Sequence, residues 1–297
     1  ADRLRFGRLT TTIVMQEQYV ALQRLTRMRF HLVHNLAREK QYFLQNLFYK
    51  CNAFTTEVDS SVFGHALMEM LSEKFSLDDI AEMDVADLAD YLRDKGRNRF
   101  PDPERVARCI QQAARASYRL SKVVEDSIDL VLGTSIESIR SIQKQLKDLD
   151  KAIERVLDGI QGAQCLLSVP GIGKVYAAGL LGELGDIERF KDQAAVAKYA
   201  GLTWRRHQSG VFEAEDTARI KSGNRFLRYY LVEAANSVRM RDEEFGEYYR
   251  KKYHEVPKNQ HKRALVLTAR KLVRLVDVLL RSGQLYTPRR KVNSAKD

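Results

Sequence analysis

No apolar run in this chain of 297 residues approaches the length needed to cross a bilayer; Val175–Leu181 is among the best and is far too short. The opening, ADRLRFGRL, has neither an initiator Met nor a signal-peptide pattern, and no lipidation motif is present. Cysteine is scarce. Cys51, Cys109 and Cys165 are widely spaced and odd in number, which offers neither a disulfide framework nor zinc-ligand spacing and suits a reducing, cytoplasmic compartment. His31 and His34 can share a helix face, but no second ligand pair accompanies them, so they read as surface residues.

Apolar residues make up 44% of the chain, which is ordinary for a protein with a core and argues against wholesale disorder. The length suits two domains, or one domain with an extended appendage. The net charge of +11 is unevenly placed. Residues 1–200 carry 28 Lys and Arg against 28 Asp and Glu, whereas residues 201–297 carry 22 against 11. A basic final third on a neutral body points to a localised polyanion surface, with nucleic acid as the first partner to consider.

Two long amphipathic helices frame the first half. Leu22, Leu25, Leu32, Leu36, Phe43 and Leu47 recur at steps of three, four or seven between Ile13 and about Lys50. Ile128, Leu132, Ile139, Ile142, Leu146, Leu149, Ile153, Val156 and Ile160 continue a heptad, with Ser135 in one place. Residues 13–162 are therefore expected to form a long antiparallel coiled-coil hairpin, its seam filled within the chain or between chains. Residues 51–116 interrupt it as a helical insertion of unread function. FSLDDIAEM is expected to start on Ser76 as N-cap with Asp79 three residues on, DVADLADYLRDKG to follow it, and PERVARCIQQAARAS to start after Gly96, Pro101 and Pro103.

Residues 163–285 read as a compact helical domain with an apolar face at Ile187, Phe190, Ala194, Ala195, Ala197 and Tyr199. It contains a helix-hairpin-helix-like turn, Pro170-Gly171-Ile172-Gly173, with Val169 and Ile172 available for packing. Lys174 follows where a helix start presents open N–H groups. Gly171, Gly173 and Lys174 thus suit a nucleic-acid phosphate, or the glycines serve a tight turn between packed helices. A loop spans 201–217, with a short strand near Gly210–Glu213, and a helix starts after Ser222-Gly223-Asn224. A last helix, about Lys258–Arg281, is expected to bury Leu265, Leu267, Leu272, Leu275, Val276 and Leu279. Its expected exposed residues are Lys258, Lys262, Arg263, Arg270, Lys271, Arg274 and Arg281. Residues 286–297 read as a basic tail.

Chemistry concentrates in Trp204-Arg205-Arg206-His207-Gln208-Ser209-Gly210, followed by Arg219, Lys221 and Arg225. A hydroxyl among cations can attack a phosphodiester while the cations stabilise the added charge, with His207 as a candidate base. A Ser-Gly pair also makes an ordinary turn. Glu213, Glu215 and Asp216 offer a metal site or a solvated loop paired with arginines.

SVPGIGKVYAAGLLGELGDIERF, AKYAGLTWRRHQSG and KSGNRFLRYYLVEAANSVR, in this order, resemble the C-terminal domain of the bacterial DEDD transposases of the insertion-sequence family numbered one-hundred-and-ten. The resemblance covers about residues 163–285, and the preceding coiled coil fits the family plan. It implies a DNA transposase or site-specific recombinase that works with a bridge RNA and acts through a serine bonded to a DNA phosphate. By its place in the GLT…SG motif that serine is Ser209. Gly223 and Arg228 fall in the Gly…Leu-Arg stretch, where Arg228 supports phosphate or packing.

Trp204 departs from the proline of many members. The family's Mg2+-binding RuvC-like nuclease domain would precede Ala1, so residues 1–12 read as its tail and this chain alone is not expected to cut DNA. The partners implied are DNA, a guide RNA and further copies of the chain through the coiled coil, in a bacterial cytoplasm at the nucleoid. The alternative is a non-enzymatic nucleic-acid-binding module, a junction or repair accessory that uses the PGIG turn.

Overall fold

The computed structural model describes residues 15–72, 75–204, 208–209, 212–213 and 222–288. It is mainly α-helical, and the described residues divide into two compact units. One comprises residues up to Phe30 and from Asp148 onward; the other is His31–Lys147. Helices α1 (Glu17–Lys50) and α7 (Lys122–Leu157) each contribute to both units. The residues expected to be the tail of a nuclease domain and those of the basic tail from Arg289 lie outside the described residues.

In the unit His31–Lys147, Phe43 and Leu47 of α1 share a core with Leu132, Ile136 and Ile139 of α7. Lys50, which is 3% exposed, meets Asp129 at 2.5 Å. The insertion closes the same core with α2 (Phe54–Glu57), α3 (His65–Ser72), α4 (Leu77–Glu82), α5 (Val85–Lys95) and α6 (Pro103–Ala116). The Ser76 hydroxyl accepts from the Asp79 N–H, and the Asp79 carboxylate accepts from the Ser76 N–H, completing the capping box. Asp84 and Asp102 cap α5 and α6, with Pro103 in the first turn of α6.

The end of α5 breaks a local preference. Asn98 N–H donates to Arg93 O and Arg97 N–H to Asp94 O, the bonding of a Schellman stop, so Arg97 takes the left-handed position at φ 51° and Asn98 follows at 55°. Gly96 precedes that position because a Cβ there would lie 2.5 Å from Leu92 O and 2.6 Å from the Phe100 ring. An arginine in the left-handed region costs about 1 kcal/mol relative to glycine.

The other unit packs α8 (Ala163–Leu167), α9 (Lys174–Leu184), α10 (Gln193–Ala200), α11 (Arg225–Arg241), α12 (Glu243–His254) and α13 (Gln260–Ser282) with the start of α1 and the end of α7. A 3-10 turn, Ile187–Arg189, joins α9 to α10. Val169 and Ile172 are buried as expected, whereas Ala194 is exposed and Val196 and Ala200 take its place in the core. Leu22, Ile153 and Leu157 belong to this core, and Arg29 meets Asp150 at 2.5 Å.

Helix α9 is buried on nearly every side, which small residues permit. A Cβ on Gly179 would stand 2.4 Å from the Tyr230 ring, and one on Gly182 would stand 2.8 Å from Gln23 N in α1. Tyr230 is itself almost fully buried, and its hydroxyl donates to Thr26 O at 2.7 Å. Phe30 sets its ring edge against Tyr229 and Phe226, with centroids at 4.7 and 5.2 Å.

The basic face expected on α13 is only partly a surface. Arg263, Arg270, Lys271 and Arg281 are half-buried and engaged within the fold. Arg281 donates to the carbonyls of Ile187 and Phe190 and meets Asp277 and Glu188. Burial, and then neighbouring Arg274, lowers the pKa of Arg270. The last helix thus uses much of its charge to hold the 3-10 turn and α10 in place.

Two predictions follow from α9 and its neighbours. Because the atoms facing Gly182 are backbone, Gly182→Ala should destabilise the protein by roughly 2–3 kcal/mol, read from the midpoint and slope of urea unfolding. Burial raises the pKa of Tyr176, Tyr229 and Tyr230 above the ordinary 10.0. A raised folded-state value contributes stability that is complete below pH 10 and is lost as the pH rises through it, because the unfolded chain then releases protons first. Thermal midpoints should therefore fall from about pH 10 upward, and fall less steeply in Tyr230→Phe.

Candidate functional site: a pinned loop carrying Ser209

The segment between α10 and α11 is closed at its base by close backbone approach. Gly201 ends α10 at φ 70°, and Gly223 stands before α11 at φ 108°; a side chain at either would be strained. A Cβ on Gly223 would lie 2.6 Å from Gly201 N, and one on Gly201 would lie 2.4 Å from Ser222 O. Asn224 N–H donates to Tyr199 O at 2.6 Å, and Arg228 Nη1 donates to Ala200 O at 3.3 Å. The two ends of the loop are thereby fastened to one another.

Within the loop, strands β1 (Gln208–Ser209) and β2 (Phe212–Glu213) pair antiparallel, with Gln208 opposite Glu213 and Ser209 opposite Phe212. Ser209 therefore sits beside the turn of a minimal hairpin, in line with the short strand expected there. Arg205, Arg206, His207, Gly210, Arg219 and Lys221 lie outside the described residues, as do Glu215 and Asp216. Trp204 stands at the loop's entry and is 38% exposed.

A buried polar knot holds the neck. Glu183 of α9 has no exposed surface, and its carboxylate accepts from Arg27 Nε at 2.7 Å and Arg27 Nη2 at 2.9 Å. Asn224 Nδ2 donates to it at 2.7 Å and Gln23 Nε2 at 3.4 Å. Asn224 Oδ1 accepts from the N–H groups of Phe226 and Leu227, which caps α11. Asn224 Nδ2 also reaches Tyr199 Oη at 3.1 Å. One amide thus ties the start of α11 to α9 and α10. The hydrogen bond to Glu183 raises the pKa of Arg27, against its own burial.

The other sequence-predicted residues are spread over two places. Arg225 is exposed in the first turn of α11, its guanidinium 4.7 Å from the Phe226 ring centroid, and Arg27 stacks on the same ring at 4.6 Å. Arg225, Arg228 and Gly223 therefore gather at the loop's base. Gly171, Gly173 and Lys174 lie at the turn between α8 and α9. Gly171 has φ 103°, and the place of its missing Cβ is filled by α11, 2.8 Å from Val238 Cα, so helix packing accounts for this glycine. Gly173 faces open space, and Lys174 Nζ meets Glu154 at 3.3 Å. Glu183, Arg27 and Asn224 escape sequence reasoning as a set: Arg27 lies 156 residues from its carboxylate, although the Ser-Gly-Asn start of α11 marks Asn224 as a cap.

Among the described residues, no group of three or more His, Cys, Asp or Glu is placed to hold a metal ion, and no helix is long and apolar enough to cross a membrane. The described residues do not fit the Mg2+ that the resemblance implies for the family's nuclease domain. A cavity of about 400 Å³ bordered by Tyr19, Asp186 and Arg281 includes none of the sequence-predicted site residues.

Residues 163–250, which include α9, the pinned loop and α11, match the family described as Transposase IS116/IS110/IS902 family. Over this region, 88 of the 297 residues, the chain resembles that transposase family. It is 28% identical over 193 residues to an uncharacterized 44.8 kDa protein of insertion element IS116 from Streptomyces clavuligerus, covering 65% of this chain and 47% of that protein. It is 28% identical over 162 residues to the pilin gene-inverting protein of Moraxella bovis, covering 52% and 48%. It is 30% identical over 102 residues to the transposase for insertion sequence element IS1111A of Coxiella burnetii, covering 34% and 26%. The chain spans about half the length of the first two.

Removing the Glu183 carboxylate would take the acceptor from four donor groups. Glu183→Ala should cost about 3 kcal/mol, the low end for a broken buried pair because Arg27 is 34% exposed. Proteolysis should then cut between Ala200 and Asn224 faster than in the parent chain, and an unchanged cleavage rate would separate the knot from the loop.

Proposed function

We propose that this chain is the strand-exchange part of a DNA transposase or site-specific recombinase in which Ser209 carries the cleaved DNA strand. The observation that carries this reading is the fastened loop: a serine on a minimal hairpin, in the region matching the transposase family, at a neck bearing Arg225 and Arg228. In the proposed step Ser209 gives up its proton and Oγ forms a bond to a DNA phosphorus. A P–O bond of the strand breaks, and the released oxygen takes a proton. The phosphoserine ester keeps the energy of the broken bond, so a second strand end can attack it and rejoin without ATP.

Lone serine is a weak nucleophile, and the cations around the loop supply charge stabilisation rather than activation. In this reading Arg225 offers charge at the loop's base, and Arg205, Arg206, Arg219 and Lys221 add to it. Mg2+ is the metal that the resemblance implies for the family's nuclease domain, and a bridge RNA selects the DNA. Further copies of the chain associate through the long helices, as the exposed Tyr42 and Phe48 of α1 and Val123 and Leu130 of α7 support. The setting is the bacterial cytoplasm, at the nucleoid.

The test uses a reading frame that joins this chain to the family's nuclease domain, with donor and target plasmids in one cell. Ser209→Ala should abolish recombination and the detergent-stable protein–DNA adduct while leaving DNA binding within about twofold. Residual recombination near the parent level would overturn the assignment. Residues 1–297 alone should leave supercoiled DNA intact in Mg2+; nicking that Ser209→Ala removes would place the whole reaction in this chain.

A further inference from the structure

The unit His31–Lys147 contains a cavity of about 590 Å³ that the proposed strand exchange does not use. Arg97, Arg99 and Lys147 line it, with the Phe100 ring and the hydroxyl-bearing Ser60 and Ser61. The cavity also reaches His65 and Ala66, the opening residues of α3, ahead of the helical bond from Met68 N–H to Gly64 O. Backbone N–H groups of a first helical turn have no partner within the helix.

Three features separate this cluster from ordinary surface charge. Arg105, Arg119, Lys122 and Arg140 of the same unit each meet a carboxylate, but no such pair involves Arg97, Arg99 or Lys147 among the described residues. All three border one concave site, where like cations repel unless an anion joins them. Arg97 also holds the left-handed position at the end of α5, where glycine fits better, so the chain keeps a cation there against local preference.

We propose that this cavity binds backbone phosphates of a nucleic acid, as a contact site separate from the Ser209 loop. Arg97, Arg99 and Lys147 neutralise successive phosphates, the start of α3 adds N–H donors, and the half-buried Phe100 offers a ring face to an unstacked base. Arginine suits this site because its fork binds phosphate oxygens in pairs. The helical insertion thereby has a function: it builds a second place where the nucleic acid is held.

The experiment measures binding of the full chain to fluorescent duplex DNA and to structured RNA across a salt series. Arg97→Gly tests the residue without risking the fold, because glycine suits the left-handed position: its melting temperature should equal or exceed the parent's while its affinity falls. Arg97→Gly combined with Arg99→Gln and Lys147→Gln should weaken binding by roughly tenfold or more, and should lower the salt slope by about 0.7 to 0.9 per lost phosphate contact.

Arg108→Gln, at an exposed residue of α6 away from the cavity lining, should change neither quantity by a comparable amount. Loss confined to the DNA probe or to the RNA probe identifies which phosphates fill the site, and either result supports it. Parent-like affinity and slope in the triple variant would overturn the proposal. So would an equal loss in Arg108→Gln, or poly-glutamate displacing the probe from the parent but not from the triple variant, which would make the partner an acidic protein. Ser209→Ala should leave this affinity intact, so this site and the strand chemistry stand or fall separately.

Discussion

The Glu183 carboxylate is the constraint on which the C-terminal unit depends. A fully buried carboxylate is expensive to remove from water, and burial is tolerable only when its oxygens are satisfied. Here Arg27 supplies two donors, Asn224 a third and Gln23 a longer fourth. The arrangement does more than neutralise a charge. Asn224 spends its amide nitrogen on Glu183 and its carbonyl oxygen on the cap of α11, so the orientation of one planar group fixes both the carboxylate and the helix start. Such a network is costly when incomplete and specific when complete.

The knot in turn requires close packing of helix backbones. Glu183 can face Arg27 only if α9 lies hard against α1, and Gly182, the residue before it, makes that approach possible. Gly179 does the same toward Tyr230, whose hydroxyl returns to α1 at Thr26. At the loop's base the requirement recurs as backbone against backbone, Gly201 beside Gly223. Rigid elements hold a functional loop more accurately than the loop can hold itself. Ser209 lies on a short strand pair within the segment whose two ends, Gly201 and Gly223, are fastened beside α10 and α11.

The long helices are legible because their apolar residues repeat over many turns: Leu22, Leu32, Phe43 and Leu47 are buried, as are Leu132, Ile139 and Ile153. The capping box at Ser76 is legible because its two bonds span only three residues. Helix α12 is missed although Asp242, Glu243 and Glu244 at its start and Lys251, Lys252 and His254 at its end are helix signals. Its tyrosines and charges mask the periodicity of Phe245 and Tyr249, its buried aromatics. Helices α2 and α3 are too short for a period to register. On α13 the cations read as exposed because a sequence shows charge but not the carbonyls and carboxylates brought to meet it. The Arg27–Glu183–Asn224 knot is illegible for the same reason, since its members are joined only by the fold.

Charge placement separates what the fold needs from what it leaves for a partner. Where a cation serves structure its partner is another group of the fold: Lys50 with Asp129, Arg29 with Asp150, Arg281 with the carbonyls at the 3-10 turn. These cations are engaged within the fold. At Arg97 the logic reverses. The helix stop asks for glycine, Gly96 is held one residue early by Phe100 and Leu92, and an arginine takes the strained position with no carboxylate beside it among the described residues. Packing explains the glycine but not the arginine. A side chain kept against local preference and without an ion-pair partner suits a ligand, and the neighbouring Arg99 and Lys147 on the same cavity make an anion the fitting one.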